Sequence, residues 1–210
     1  MSRVTYQTKC RLCRAEGIKL FLKGSRCSSA KCPLEKKGAI PPGMHGLKGG
    51  KKPTDYGIQL RAKQKAKRIY GVQETQFKNY YLKAKSMKGL VGINLLTLLE
   101  LRLDNIVYKA GLASSRSHAK QLVSHKNILV NGKPLNVCSY QVKKTDQITL
   151  DSKIISSAGE NLPISEKDFK APAWISIDRS KFGVEINGLP SSEDFNSAIN
   201  INLIIEYYSR

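Results

Sequence analysis

The apolar positions along the chain change period several times, and each change marks an element. From Gln59 onward, Ala62, Ala66, Ile69 and Tyr70 recur at helical spacing and form one stripe. A second helix is predicted over Glu74–Lys85, and "MKGLVG" breaks it. The clearest helical signal is "LLTLLELRLDNIVYKAG". There Leu99, Leu103, Ile106, Val107 and Ala110 make one face, and Gly111 is placed to end it. "SSRSHAKQLVSHK" starts a fourth helix, with Ser115 to cap its first turn and Ala119, Leu122 and Val123 facing inward. The period then shortens. "NILVNGKPL" reads as a hairpin with Asn131-Gly132 as its type I′ turn. "YQVKKTDQITL" predicts another strand pair, and "AWISID" and "FGVEI" two short strands. The ending "INLIIEYYSR" is too apolar to dangle and is expected to pack on the body.

These elements make an α+β protein with three regions. A cysteine-bearing arm and a Gly/Pro connector occupy 1–47. A basic helical domain covers 48–95, with 195–210 expected to pack on it. An α+β domain covers 96–194, and its compact helix-helix-hairpin unit spans about 97–155. The connector "AIPPGMHGLKGGKKPTDYG" is too rich in Gly and Pro to continue a helix from arm to body. At 210 residues the chain suits one large or two modest domains, and buries an ordinary core without staples.

Charge sharpens the picture. The 36 Lys+Arg against 16 Asp+Glu give a net charge of +20, which points to a polyanionic partner. The excess is uneven: residues 1–90 carry 22 basic and 4 acidic side chains, while 91–210 carry 14 and 12. Electrostatic docking is therefore led by the first half. A membrane is excluded as the partner because the apolar runs are far too short to span one. The start "MSRVTYQTKC" has no apolar signal-peptide core and no evident transit peptide, so the chain is expected to stay where it is made. Arg61, Lys63, Lys65, Lys67 and Arg68 lie beside the first apolar stripe. Alone they would read as a solvated face. In so basic a half, phosphate contact is the better reading. On the fourth helix or just past it lie Arg116, His118, Lys120, His125 and Lys126, and Lys133 follows the hairpin turn. A helix start with free N–H groups beside such cations suits RNA read by backbone and shape.

Four of the five cysteines fall at C-x2-C-x13-C-x4-C: Cys10, Cys13, Cys27 and Cys32. Two close pairs divided by a short loop suit a tetrahedral site closed by four thiolates. Zinc is the favoured ion and an iron–sulfur cluster the alternative, since spacing does not separate them. Four ligands leave no open position, so the metal is expected to be structural. Disulfides are disfavoured by the odd cysteine count and the absence of secretory features. Cys138 reads as a packed, inert thiol, and His45 is left out of the ligand set.

"LELRLDNIVYKAGLASSRSHAKQLVSHKNILVNGKPLN" resembles the RNA-binding module of the small-subunit ribosomal protein S-four family. The resemblance extends to the cysteine spacing, "PPGMHG", "DYGIQLRAKQKAKRIYG", "ETQF" and "IIEYYSR", in the family's order, in the bacterial or organellar form. It implies a structural component of the small ribosomal subunit, not an enzyme. Such a protein binds the 5′ domain of small-subunit ribosomal RNA, nucleates assembly, and contributes to decoding accuracy where the messenger enters. It implies contact with ribosomal protein S-five and neighbouring small-subunit proteins, messenger RNA as a further partner, and residence in a cytoplasmic or organellar ribosome. Two departures stand out: Cys138 where members often have Pro, and Lys144-Thr145-Asp146 where they have Pro-Gly-Asp. Both should loosen loops without removing the module. Many members lack the cysteines, so metal is not essential to the family's function. Two rivals remain. An RNA-modifying enzyme that borrows the module needs a catalytic domain, yet only about 55 residues follow the module, with no convincing nucleophile–base pair. A free zinc-arm regulator needs a helix for the major groove, whereas here the basic surface is spread over two domains.

Overall fold

The computed structural model describes residues 8–46, 52–158, 162–166 and 169–210; the middle of the connector, 47–51, lies outside them. The chain divides into two compact units. One runs up to Val72 and takes in Ala198–Arg210; the other is Gln73–Ser197.

In the first unit, α1 (Lys9–Glu16) ends at Gly17 in the left-handed region. A 3-10 turn follows at Gly24–Cys27, then α2 (Pro33–Lys37), whose proline sits in the first turn where no N–H is needed. The long helix is α3 (Asp55–Tyr70). Thr54 Oγ1 accepts the Gly57 N–H at 3.2 Å, Asp55 sits at its positive end, and Lys67 and Arg68 sit at its negative end. Ala62, Ala66, Ile69 and Tyr70 are buried, as the stripe requires. The apolar ending forms α9 (Ile201–Ser209), which packs along α3 with Ile204 fully buried. Gln59 Nε2 donates to Glu206 Oε2 across that seam at 3.0 Å.

The second unit opens with α4 (Glu74–Ser86) packed on α5 (Val91–Glu100) through Phe77, Tyr80, Tyr81 and Ala84 against Leu95, Leu96 and Leu99. Because α4 buries its aromatic face on α5, the division between units falls after Val72, where the sequence reading had a single helical domain over 48–95. α6 (Leu103–Lys109) and α7 (Arg116–Ser124) pack together, and their apolar side chains share one core with the sheet. The strands are β1 (Ile128–Val130), β2 (Lys133–Pro134), β3 (Gln147–Leu150), β4 (Ile175–Asp178) and β5 (Gly183–Ile186). They form an antiparallel sheet in the order β2-β1-β3-β5-β4, with α8 (Ser152–Ala158) following β3. The Asn131–Gly132 turn has both residues at positive φ, 50° and 77°, as a type I′ hairpin demands. Gly111 tolerates no side chain: its φ is 76°, and a Cβ would lie 2.7 Å from the Phe169 ring.

Two sequence expectations are corrected. The third helix is two helices, broken at Leu101 and Arg102; Arg102 is the N-cap of α6 in extended conformation. The segment around Gln141 is not a sheet strand. It fills the break instead: Leu103 N–H donates to Tyr140 O, and Val142 N–H to Leu101 O, both at 2.9 Å. Those bonds satisfy backbone groups that the interrupted helix leaves open.

Candidate nucleic-acid interface and cysteine cluster

The basic residues of α3 do not form one open face. Arg61 is exposed, and Arg68 is largely covered; both pair with Glu16 of α1, whose side chain is 2% exposed. Arg61 Nη1 lies 3.6 Å from the Glu16 carboxylate. Lys63 is a correction to the phosphate-contact reading: it is buried, 3% exposed, with Nζ 4.2 Å from the centroid of the Tyr207 ring. Its ammonium is held by aromatic faces, where a backbone phosphate does not reach. Lys65 and Lys67 are half-buried on the same helix.

In the second unit, α7 begins at Ser115, whose Oγ accepts the His118 N–H at 3.2 Å, as expected of its cap. His118 is half-buried, and burial lowers its pKa. The Ser114 N–H donates to its Nδ1 at 3.4 Å, so the neutral ring carries its proton on Nε2. Lys120 is half-buried, and His125, Lys126 and Lys133 are exposed. His125 caps the end of α7, Lys126 turns the chain at φ 63°, and Lys133 stands beyond the hairpin turn.

Arg116 differs from its neighbours. Its Nε donates to Asn105 Oδ1 at 2.8 Å, and its guanidinium lies 4.6 Å from the Tyr108 ring centroid. Asn105 Nδ2 donates in turn to the Glu100 carboxylate at 2.6 Å, and Lys109 Nζ sits 2.9 Å from that carboxylate. Glu100 is fully buried. Arg116 thus ties α7 to a buried network on α5 and α6, and is more than a surface cation. Arg102 and Asp104 form a second buried pair, joined through Nη2–Oδ2 at 2.6 Å and Nε–Oδ1 at 3.0 Å, with Arg102 Nη1 donating to Tyr80 Oη at 2.8 Å. Burial opposes the Arg102 charge, but Asp104 and Tyr80 outweigh it and raise its pKa further. Sequence reasoning missed Glu16, Glu100, Arg102, Asp104 and Asn105. For the last four the available signal was polar side chains inside an apolar helical run, "LLELRLDNIV"; Glu16, in the arm, carried none.

The four arm cysteines line one small cavity with Lys9, Leu22, Lys23, Arg26, Pro33 and Leu34. None of the four is in a disulfide; Cys13, Cys27 and Cys32 are buried and Cys10 is half-buried. The Lys23 N–H donates to Cys27 Sγ at 3.3 Å. Burial pushes the Cys13 thiol up, partly offset by the Leu20 N–H. The donor set and the amide aimed at sulfur fit a thiolate-bound metal. Among the described residues, however, no group of three or more His, Cys, Asp or Glu side chains stands close enough together to hold a metal ion. Cys138 lies apart, half-buried, 3.4 Å from Ser124 Oγ and 3.5 Å from the Lys120 carbonyl oxygen.

No helix among the described residues is long and apolar enough to cross a membrane. The family described as Ribosomal protein S4/S9 N-terminal domain matches residues 5–100, and the S4 domain family matches 101–148. A small ribosomal subunit protein uS4 of Desulfitobacterium hafniense is 49% identical over 201 residues, 96% of both chains. One from Clostridium botulinum (strain Eklund 17B / Type B) is 48% identical over 210 residues, the whole of both chains. A third, from Desulfotalea psychrophila, is 47% identical over 203 residues, 96% of both. With nearly half its residues shared along its full length, the chain belongs to the uS4 family of small ribosomal subunit proteins.

Proposed function

We propose that the chain is a structural component of the small ribosomal subunit, without enzymatic activity, that binds small-subunit ribosomal RNA directly. The observation that carries this reading is the run Lys120, His125, Lys126 and Lys133 on α7, its end and the hairpin, outside a core that faces the sheet. Basic side chains along such an edge meet an RNA backbone and read its shape. Full-length similarity to ribosomal proteins disfavours both the RNA-modifying enzyme and the free zinc-arm regulator.

Finer roles follow from the family resemblance. The chain contacts the 5′ domain of the RNA, nucleates subunit assembly, and contributes to accuracy where the messenger enters. Its partners there are ribosomal protein S-five and messenger RNA, in a cytoplasmic ribosome of bacterial type. Cys10, Cys13, Cys27 and Cys32 would hold one zinc ion, or an iron–sulfur cluster. The bound group would cross-link an arm with little core of its own. The cavity the thiols share, and the Lys23 N–H on Cys27, favour this. Metal analysis of the purified chain and of Cys13→Ser is its check, with about one ion per parent chain expected.

Two variants test the RNA reading. Lys120→Ala/Lys126→Ala/Lys133→Ala removes cations outside the core, so folding should be unchanged within about 0.5 kcal/mol. Affinity for small-subunit ribosomal RNA should fall, and the salt slope should flatten by roughly one unit per lost contact. Arg116→Ala should lose stability as well, by about 1–3 kcal/mol, because the Asn105 side-chain oxygen loses the donor that ties α7 to the buried Glu100 network. Undiminished RNA affinity of the triple variant would remove the proposed edge.

A further inference from the structure

The turn between α4 and α5 carries an apolar feature apart from the proposed RNA edge on α7 and the hairpin. Leu90 is 70% exposed, Ile93 45% and Met87 41%. The three are held at one corner by Asn94. Its Nδ2 lies 3.3, 3.4 and 3.2 Å from the carbonyl oxygens of Ala84, Met87 and Lys88, and its own N–H donates to Leu90 O at 3.0 Å. Asn94 thereby caps the end of α4 and fixes the turn against the first turn of α5. Leu90 and Ile93, three residues apart, fall on neighbouring positions of that turn. Exposed Lys83, Lys85 and Lys88 flank the same corner, and no acidic residue occurs between Glu74 and Glu100.

We infer that this corner is a docking surface for a protein segment: an amphipathic helix with aliphatic side chains on one face and Asp or Glu beside them. Grouped, exposed apolar side chains held in a fixed turn mark an interaction site more often than scattered ones do. The lysines select the sign of the partner, since a segment bearing carboxylates is steered to the corner and a basic one is repelled. Aliphatic side chains have no π face on which an unpaired base could stack, so they give RNA little to bind. Surface-lying membrane elements present a continuous apolar helix face with Trp, Phe or Leu; this corner offers three aliphatic side chains on a turn. Asn94 holds the corner in place before binding, so little ordering is left to oppose association.

The test is a titration of the nitrogen-labelled full-length chain, followed amide by amide by NMR. The probe is a short synthetic helix with leucines on one face and glutamates beside them. Saturable shifts confined to about residues 82–94 are expected. Leu90→Ser/Ile93→Ser and Lys85→Glu/Lys88→Glu should each weaken binding about tenfold or more. Both pairs are solvent-facing, and unchanged shifts elsewhere will show that the fold is kept. Equal binding of a scrambled peptide of the same composition would reduce the effect to net charge and overturn the inference. So would shifts spread over the whole basic surface. Two further titrations, with a small-subunit ribosomal RNA fragment and with vesicles containing phosphatidylserine, cover the other occupants. A corner that answers to either of them and not to the helix also overturns it. Because RNA binding is read separately, loss of the docking site leaves the ribosomal reading untouched, and the converse holds.

Discussion

Thr145 shows how one residue carries the cost of a family departure. It sits at φ 72°, a conformation that a β-branched side chain rarely adopts and a glycine adopts readily. The chain nevertheless turns there, because Asp146 braces the loop. Asp146 accepts the Lys143 N–H at 2.8 Å and the Asn131 Nδ2 at 2.9 Å, and Thr145 N–H donates to Ile186 O at 2.9 Å. The sequence reading had these loops loosened by the loss of Pro and Gly. The structure instead has a braced loop with a strained residue inside it. Thr145→Gly should relieve about 1–2 kcal/mol of strain and lose part of it to unfolded-chain entropy. The net expectation is about 1 kcal/mol of added stability and about 3 °C in Tm. Thr145→Ala keeps a Cβ at the same φ and should gain less. Paired thermal melts decide it: equal gains for Ala and Gly would mean that backbone strain is not the cause.

At the scale of elements, much of the fold was legible because period and punctuation agree. The Glu74 helix start, the Ser115 cap, the Asn131-Gly132 hairpin and the two late strands stand where the sequence places them. The break at Leu101–Arg102 was not legible. Leu99, Leu103 and Ile106 keep helical spacing straight through it, so the apolar period carries no mark of the interruption. The break is decided by long-range bonds from 138–142, which a local pattern does not contain. The burial of Lys63 and the pairing of Arg68 on α3 were hidden for a similar reason: Tyr207 and Glu16, their partners, are distant in sequence. The buried Arg102–Asp104–Tyr80 cluster locks the junction, and it gives a prediction. Asp104→Asn keeps the shape but leaves a buried guanidinium without its counter-charge, which should cost about 3–5 kcal/mol. Arg102→Met/Asp104→Asn removes both charges and should recover part of that loss. Urea unfolding of both variants is the measurement. A double variant less stable than the single one would show that the cluster holds the junction by its geometry, and not by charge balance.

Across the whole chain, the charge asymmetry makes a prediction that the structure has narrowed. Residues 1–90 hold most of the net +20, so the larger part of the salt dependence of RNA binding should originate there, beside the share of the α7–hairpin edge. A protein making six to ten phosphate contacts loses roughly 10³–10⁵-fold in affinity between about 50 and 200 mM salt. Within that half, the cations are not equivalent. Lys63 is buried against Tyr207, and Arg61 and Arg68 are shared with Glu16, so α3 has fewer charges to give than its sequence suggests. The arm is different: Arg26, Lys31, Lys36 and Lys37 are all exposed. Each phosphate contact adds about 0.7–0.9 to the slope of log affinity against log salt, so the two sources can be told apart by counting. Lys31→Gln/Lys36→Gln/Lys37→Gln should flatten the slope by about two units, whereas Lys63→Gln should leave it unchanged and lower stability instead. Binding of small-subunit ribosomal RNA measured over a salt series, beside thermal melts of the same samples, gives both quantities. If the arm variant keeps the parent slope, the phosphate contacts belong to the α7–hairpin edge, and the basic first half serves association rate more than affinity.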